Sequence, residues 1–338
     1  MTEIASMTES ELASLCVTLG EPAYRGKQLF GWLQKGIKSF DELNNMPKPL
    51  REKLKENCLL TVCDIVKRQI STDGTRKYLF SLYDGERIES VFMRYKHGNT
   101  VCVSTQAGCR MGCSFCASTI NGLKRCLYAS EILLQIIEIQ KDTGERVSNV
   151  VLMGMGEPFD NYENVLRFLH LVNDEKGLNI GYRHISLSTC GLIDKMDRFA
   201  AEGLPVTLSV SLHAPNGEIR KSIMPVANRY GYDELLEACE RYEKITKRRV
   251  SFEYALISGV NDLPGHASEL GKRLKGTLCH VNLIPLNHTE RKGYKKSERD
   301  AVDAFARTLE QYGITATVRR SLGNDISAAC GQLKAEND

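Results

Sequence analysis

Three closely spaced cysteines are the residues of this sequence best suited to chemistry. Cys109, Cys113 and Cys116 are separated by three and by two residues in the segment GCRMGCSFC, whose two glycines let the chain wrap around a bound group. Thiolates are the usual ligands of iron–sulfur clusters. Because three ligands leave one iron open for chemistry, we expect an enzyme built around such a cluster.

Other interpretations of these cysteines remain. A structural zinc site normally closes with a fourth ligand, and the nearest candidates, Cys102 and Cys126, do not have finger-like spacing. The three could also be unrelated core residues. The twelve cysteines of the chain are spread over 338 residues, which favours metal binding or catalysis over a disulfide framework.

Composition is that of a globular protein, with 42% hydrophobic and 26% charged residues. No apolar run reaches the length of a membrane span. Residues 1–13 are acidic and polar, which is untypical of a secretory signal. We therefore expect a cytoplasmic protein with no membrane contact.

The N-terminal part, residues 1–70, is predicted to be a small helical domain. Residues 21–68 hold ten Lys and Arg against six Asp and Glu, with aromatic residues between them. A basic surface with aromatics suits RNA. A solvated helical face over a small aromatic core is the alternative.

A β-hairpin linker is predicted over residues 71–98. Residues 77–83 (KYLFSLY) and 87–93 (RIESVFM) alternate between apolar and polar types and are joined by Asp84 and Gly85, which favours a tight turn.

The remaining residues, 99–338, alternate between strand-like and helix-like patterns, so we predict an α/β fold with a parallel sheet. Strands are expected at 101–105, 149–153, 184–188, 206–211, 250–256, 280–284 and 314–318, and helices at 130–142, 162–173, 232–246 and 297–312. Ligands gather at the carboxyl ends of such strands.

The cysteine segment, placed directly after a strand, resembles that of the radical S-adenosylmethionine (SAM) enzymes. The resemblance implies a 4Fe–4S cluster that SAM chelates, and a 5′-deoxyadenosyl radical formed when an electron cleaves SAM.

Five further motifs narrow the resemblance. In order along the chain they are MGMGEP at 153–158, SLSTCG at 186–191, SVSLHAP at 209–215, NLIPLN at 282–287 and DISAACGQL at 325–333. Together they resemble the RlmN/Cfr family of RNA adenosine methyl synthases over residues 20–333. The resemblance implies a radical SAM partial (β/α)6 barrel, preceded by a small helical domain and a β-hairpin extension.

The family's SAM contacts map onto seven residues. Gly156 and Glu157 match the contact to the SAM amino group, since a glycine admits close backbone approach and a carboxylate suits an ammonium. The resemblance adds Ser188, Ser211, Leu212, His213 and Asn287. A simple Gly-Pro turn and ordinary polar residues at a barrel mouth are the alternatives.

Three residues match the family's catalytic groups. Cys330, among small neighbours, corresponds to the cysteine that carries the methyl group, and Cys102 to the cysteine that releases the methylated base by forming a disulfide with it. Glu89 corresponds to the proton acceptor. Without the resemblance, a core cysteine and an ordinary hairpin glutamate would be the expected interpretations.

The resemblance implies 23S rRNA carrying few or no ribosomal proteins as substrate, methylated at carbon 2 of an adenosine. Some members also methylate tRNA. It further implies a reducing electron donor such as a flavodoxin, and we expect a monomer. Basic stretches at 247–249, 291–296 and 319–320 would contact phosphates.

Three alternative functions remain. Cfr-type enzymes methylate carbon 8 and give antibiotic resistance. A radical SAM enzyme for another substrate would not need Cys330. A metal-stabilised RNA-binding module would need neither SAM nor turnover.

Overall fold

A computed structural model describes residues 1–287 and 293–334. Its N-terminal part is mainly helical, as predicted, and consists of β1 (Thr2–Glu3), α1 (Glu9–Thr18), α2 (Tyr24–Leu33), α3 (Lys48–Asn57) and β2 (Cys58–Leu59). Thr8 and Glu11 cap α1 reciprocally: the Glu11 N–H donates to Thr8 Oγ1 at 3.3 Å, and the Thr8 N–H donates to Glu11 Oε2 at 2.8 Å. At Gly26 a Cβ would lie 2.3 Å from the backbone nitrogen of Ala13, so only glycine allows α1 and α2 to pack this closely.

An antiparallel group of strands follows: β3 (Cys63–Ile70), β4 (Arg76–Leu82), β5 (Arg87–Tyr95) and β6 (Gly98–Cys102). The predicted hairpin is confirmed as β4 and β5, and Gly85 in its turn has a φ of 86°. The prediction that residues 63–70 belong to the helical part is wrong, because they form β3 and pair with β4.

The rest of the chain supplies a small antiparallel pair, the parallel strands and their helices. The pair is β7 (Gln106–Gly108) with β8 (Leu123–Cys126), and the parallel strands are β9 (Asn149–Leu152), β10 (Ile185–Thr189), β11 (Thr207–Ser211), β12 (Val250–Leu256), β13 (Cys279–Pro285) and β14 (Thr315–Val318). The helices are α4 (Ala129–Thr143), α5 (Tyr162–Asn173), α6 (Ile193–Ala201), α7 (Gly217–Ile223), α8 (Tyr232–Thr246), α9 (Pro264–Leu274) and α10 (Arg299–Gln311).

One mixed sheet joins the strands in the order β14-β13-β12-β11-β10-β9-β6-β5-β4-β3. From β6 to β14 every pairing is parallel, whereas β3, β4 and β5 extend the sheet with antiparallel pairings. The six β/α units and the antiparallel extension confirm the predicted fold class. Because β14 and β3 are edges, the curved sheet stays open.

Parallel pairing brings the carboxyl ends of the strands to one end of the sheet. The core lies between the sheet and its helices, with α4 buried over residues 129–139. No helix in the described ranges is both long and apolar enough to cross a membrane.

Candidate functional site

A cavity opens at the carboxyl ends of the parallel strands. The three cysteines of the segment 108–116 line one side of it, and strand ends line the other. Ten of the predicted site residues line this cavity: Cys109, Cys113, Cys116, Gly156, Glu157, Ser188, Ser211, His213, Asn287 and Cys330.

The segment with the three cysteines, called here the cluster loop (residues 108–122), is held by the β7–β8 pair. The Cys109 N–H donates to the Gly122 carbonyl at 3.0 Å, and a Cβ at Gly108 would lie 1.9 Å from that same oxygen. Burial, with a contribution from the nearby Cys116, raises the pKa of the Cys109 thiol to about 12. The Cys109 thiol therefore stays protonated until a bound cation takes the place of its proton.

Glu157 is a buried carboxylate at the end of β9. Its Oε1 accepts from the Phe159 N–H at 3.0 Å and its Oε2 accepts from the Cys190 N–H at 2.7 Å. Gly156, with a φ of 103°, packs against Gln106 so tightly that a Cβ would lie 2.6 Å from it. Burial raises the pKa of Glu157, while hydrogen bonds from Cys190, Thr189 and Phe159 act in the opposite direction. A carboxylate in this state is well suited to an ammonium ligand.

The ends of β10 and β11 supply hydroxyl and imidazole groups. Ser188 Oγ and Ser211 Oγ are 3.5 Å apart. His213 has a φ of 54°, and its Nδ1 accepts from the Ala255 N–H at 2.9 Å. Burial lowers the pKa of His213 to about 3. The imidazole is therefore neutral, and its proton must be on Nε2.

The two remaining predicted SAM contacts differ in position. Leu212 is fully buried in the core, its N–H donates to the Glu253 carbonyl at 3.1 Å, and it does not line the cavity. Asn287 lies beside the C-terminal segment, where its Nδ2 donates to the Cys330 carbonyl at 3.3 Å and its Oδ1 accepts from Ser321 at 3.2 Å.

Cys102 and Cys330 line a second cavity, called here the cysteine cavity. Cys330 also lines the first cavity, so it lies between the two. Burial raises the pKa of the Cys102 thiol to about 12, with Cys330 adding to the effect. The Arg319 Nη1 donates to the Cys330 sulfur at 3.9 Å. The structure thus brings together the two distant cysteines that the sequence analysis paired.

Residues 319–334, called here the tail, carry Cys330 to this position. The Ala117 N–H in the cluster loop donates to the Gly331 carbonyl at 2.8 Å. At its other end the tail contacts the β3–β4 turn: Ser71 Oγ donates to Asp325 Oδ1 at 2.5 Å, and the Gly323 N–H donates to Asp73 Oδ2 at 2.9 Å.

Glu89 lies away from both cavities. Its carboxylate pairs with Lys77 Nζ at 3.1 Å and accepts from the Lys334 N–H at 2.9 Å, in a separate surface cavity. It shares a face of β5 with Val91 and Met93, which line the cysteine cavity. The structure therefore places Glu89 beside the tail without bringing it to Cys330.

Comparison with known proteins identifies the family. The model of the radical SAM superfamily matches residues 103–266, and the model of the ribosomal RNA large subunit methyltransferase N-terminal domain matches residues 2–60. The probable dual-specificity RNA methyltransferase RlmN of Clostridium novyi (strain NT) is 51% identical over 99% of this chain and 98% of its own length. The chain belongs to the RlmN family of radical SAM RNA methyltransferases.

Two further comparisons agree with RlmN membership. The protein named probable dual-specificity RNA methyltransferase RlmN in Clostridioides difficile (strain 630) is 53% identical over 98% of this chain and 97% of that protein. The crystal structure of a radical SAM methyltransferase from Sphaerobacter thermophilus matches with a TM-score of 0.94 and 44% identity, covering 99% of this chain and 100% of that one. The predicted family is therefore confirmed, and so are the cofactors that radical SAM membership implies, a 4Fe–4S cluster and SAM.

The first cavity fits this cofactor pair of the RlmN family. Within residues 1–287 and 293–334, no three His, Cys, Asp or Glu side chains converge as ligands of one metal ion. That arrangement disfavours zinc but not a cluster, because each thiolate of a cluster binds a different iron. Glu157 and neutral His213 line the same cavity as the three cysteines, and they provide an acceptor for an ammonium and a donor for a polar group.

Two further residues, Glu253 and Arg319, line the first cavity of this RlmN-family protein but were not placed there by the sequence analysis. Glu253 is buried on β12, where Oε1 accepts from Asn282 at 2.9 Å and Oε2 pairs with Arg319 at 3.4 Å. A carboxylate inside the run VSFEYAL at 250–256 was the available signal. The prediction that Arg319 contacts phosphates is wrong, because its guanidinium lies between Glu253 and Cys330.

For the other basic stretches, contact with phosphates stays a prediction. Lys247, Arg249 and Arg320 are exposed. Arg291 and Lys292 of the stretch 291–296 lie outside the described residues.

Proposed function

We propose that this protein methylates carbon 2 of an adenosine in 23S rRNA, and in tRNA as well, through a methylated cysteine. The observation that carries the proposal is the position of Cys330. It lines both the cavity of the three cluster-loop cysteines and the cavity of Cys102. A cysteine in that place can take up a group on one side and deliver it on the other.

The family resemblance supplies the proposed roles of the residues, and the shared cavity supports them. When bound, the cluster and SAM supply a methyl group and a 5′-deoxyadenosyl radical. Cys109, Cys113 and Cys116 hold the cluster, while Glu157 and His213 orient the polar groups of SAM. The remaining SAM contacts in this proposal are Gly156, Ser188, Ser211, Leu212 and Asn287.

Three residues then handle the methyl group and the base. The Cys330 thiol carries the methyl group, beside the guanidinium of Arg319. Glu89 accepts a proton from the base. Cys102 attacks the thioether sulfur, forms a disulfide with Cys330 and thereby frees the methylated base.

The N-terminal part is proposed to contact RNA. On α2, Arg25 lies over the ring of exposed Tyr24 at 5.0 Å, and just after the helix Lys35 lies over Trp32 at 4.9 Å. Such cation–aromatic pairs suit bases and phosphates together. A flavodoxin-like electron donor, a monomeric state and a cytoplasmic location complete the proposal and rest on the family resemblance alone.

Mass spectrometry of digested RNA tests the proposal. Protein reconstituted with iron and sulfide under anaerobic conditions should convert adenosine of a protein-free 23S rRNA fragment into 2-methyladenosine. The same assay on tRNA tests the second substrate. Cys330→Ala should give no methylated base. Finding 8-methyladenosine alone would instead assign the protein to the Cfr type.

A further inference from the structure

A third cavity lies at the opposite end of the barrel, where the parallel strands begin. Its walls come from the first residues of four strands: Thr100 on β6, Asn149 on β9, Ser186 on β10 and Thr207 on β11. All four side chains are polar, although they face the inside of the barrel. A polar interior at this end indicates a place that water or a polar ligand occupies.

This third cavity, called here the lower cavity, continues into the cysteine cavity. Met93, Tyr95, Val151 and Arg319 line both of them. Alternate residues of a strand share a face, and they lie about 7 Å apart along the strand. Thr100 is thus followed on the same face by Cys102, one step further into the barrel.

The lower cavity has the chemistry of a nucleotide site. None of its described lining residues is Asp or Glu, whereas Arg183, His184 and His97 line it. The rings of Tyr95 and His97 stack at 5.2 Å with an interplanar angle of 16°.

Asn149, which lines the lower cavity, carries a buried donor. Asn149 Oδ1 is 3.0 Å from His184 Nδ1, but Asn149 Nδ2 is buried and has no partner among the described residues. Aromatic faces stack on bases, cations bind phosphates, and an amide donor pairs with a base or a sugar oxygen.

At the other end of the barrel the cluster loop is joined to the tail. The Ala117 N–H donates to the Gly331 carbonyl at 2.8 Å, and Ser118 Oγ donates to the Leu333 carbonyl at 2.6 Å. The cluster and SAM, when bound, would occupy the first cavity at that end. The lower cavity offers a base a separate route toward Cys330.

We infer that the target nucleotide enters the barrel through the lower cavity, with its base against Tyr95 and its phosphates near Arg183 and His184. The inference rests on the proposed RNA methylation. Because adenosine has to leave its base stack to be methylated, the lower cavity serves as the site of an extruded nucleotide.

Binding of two matched RNA stem-loops tests this entrance. One carries an unpaired adenosine in its loop, and the other carries an abasic site at that position. Tyr95→Leu should weaken binding of the adenosine RNA about tenfold and change binding of the abasic RNA by less than about twofold. Tyr95→Phe keeps a ring and should bind like the unmodified protein.

Arg183→Ala provides an independent test, because Arg183 is exposed. The substitution should weaken binding of both RNAs equally. It should also lower the slope of log Kd against log salt concentration by about one. Arg241→Ala is the matched control, since Arg241 is exposed on α8 and pairs with Asp197 at 2.9 Å. It should bind both RNAs like the unmodified protein.

Iron content and thermal unfolding verify that each variant is folded. Unchanged affinity of both Tyr95→Leu and Arg183→Ala would overturn the inferred entrance. These binding measurements need no turnover. If the unmodified protein fails to methylate RNA, the proposed function falls, while the entrance is still decided by the affinities.

Discussion

The thiol of Cys102 illustrates how burial controls reactivity at the scale of one residue. Burial raises its pKa to about 12, with Cys330 as the next cause, so at neutral pH it is a protonated and weak nucleophile. Both cysteines are free thiols in the structure. Low reactivity of Cys102 keeps Cys330 available to be methylated instead of closing a disulfide early.

Removing Cys102 should trap the reaction part-way. The Cys102→Ala protein should carry RNA joined to Cys330 through a thioether, because the residue that attacks this linkage is absent. Denaturing gels with labelled RNA would show a shifted band that survives thiol treatment. Cys330→Ala and the double variant should show no such band. Full methylation by Cys102→Ala without a band would contradict the assigned role.

His213 gives a prediction about pH. Its folded pKa is lowered to about 3, so below pH 6.5 the unfolded chain takes up a proton that the folded protein does not. Stability is therefore complete above about pH 6.5 and is lost as the pH falls toward 3. For this residue the loss from about pH 8 to about pH 5 should be about 2 kcal/mol.

The substitution His213→Asn should remove that part of the pH dependence. Asn tolerates the positive φ of this position, and its side-chain oxygen can accept from the Ala255 N–H. Urea unfolding at several pH values measures the effect. Equal slopes of unfolding free energy against pH in the two proteins would show that His213 is not the group responsible.

The tail is the element whose docking decides where Cys330 lies. Asp73, in the β3–β4 turn, accepts from the Gly323 N–H. Although burial alone would raise the pKa of Asp73, its hydrogen bonds from Gly323 and Thr75 lower it to about 2. The Asp73 contact therefore persists throughout the neutral and mildly acidic range.

Loosening the tail should slow the methylation of Cys330 and leave the stability of the folded protein almost unchanged. Asp325→Ala removes the acceptor of Ser71 Oγ and of the Thr72 N–H. The weaker docking of the tail should slow methylation of Cys330 several-fold. Hydrogen exchange of residues 323–334 should rise, while the unfolding temperature changes little.

Glu240→Ala is a suitable control for this experiment, because Glu240 is an exposed residue of α8. It should change neither hydrogen exchange of the tail nor methylation of Cys330. Unaltered exchange in Asp325→Ala would mean that the contact does not hold the tail.

Elements with a long regular pattern were predictable. The expected helices 162–173 and 232–246 and the strand 250–256 coincide with α5, α8 and β12. Strand β3 was missed because a bulge between Ile65 and Lys67 shifts its alternation, so that its burial follows no simple period.

At the site, the sequence did not predict the directions in which the side chains point. Resemblance placed the cluster-loop cysteines, Glu157 and Cys330 at one cavity, and the structure brings them there. It could not show that Arg319 turns inward to Glu253, since a pair of arginines after a strand also suits an exposed surface. Tertiary packing, not local pattern, decides that orientation.

At the scale of the whole molecule, cofactor loading is the simplest test. Anaerobically purified protein should hold about one 4Fe–4S cluster per chain. Cys109→Ala should lose most of the iron, because two thiolates remain. Cys279→Ala changes a cysteine on β13 that does not line the first cavity and should keep the cluster. Iron and sulfide analysis decides, and full iron in Cys109→Ala would contradict the assigned ligands.

The strand order also bears on how the protein is made. Apart from the small β7–β8 pair, each strand from β3 to β14 pairs with the next one along the chain, so the sheet can grow as the nascent polypeptide leaves the ribosome. The contact of Asp325 with Ser71 spans 254 residues and forms only after the sheet is synthesised. A partly translated chain thus carries the three cysteines of the cluster loop before it carries Cys330, and under the proposed mechanism it could not yet store a methyl group.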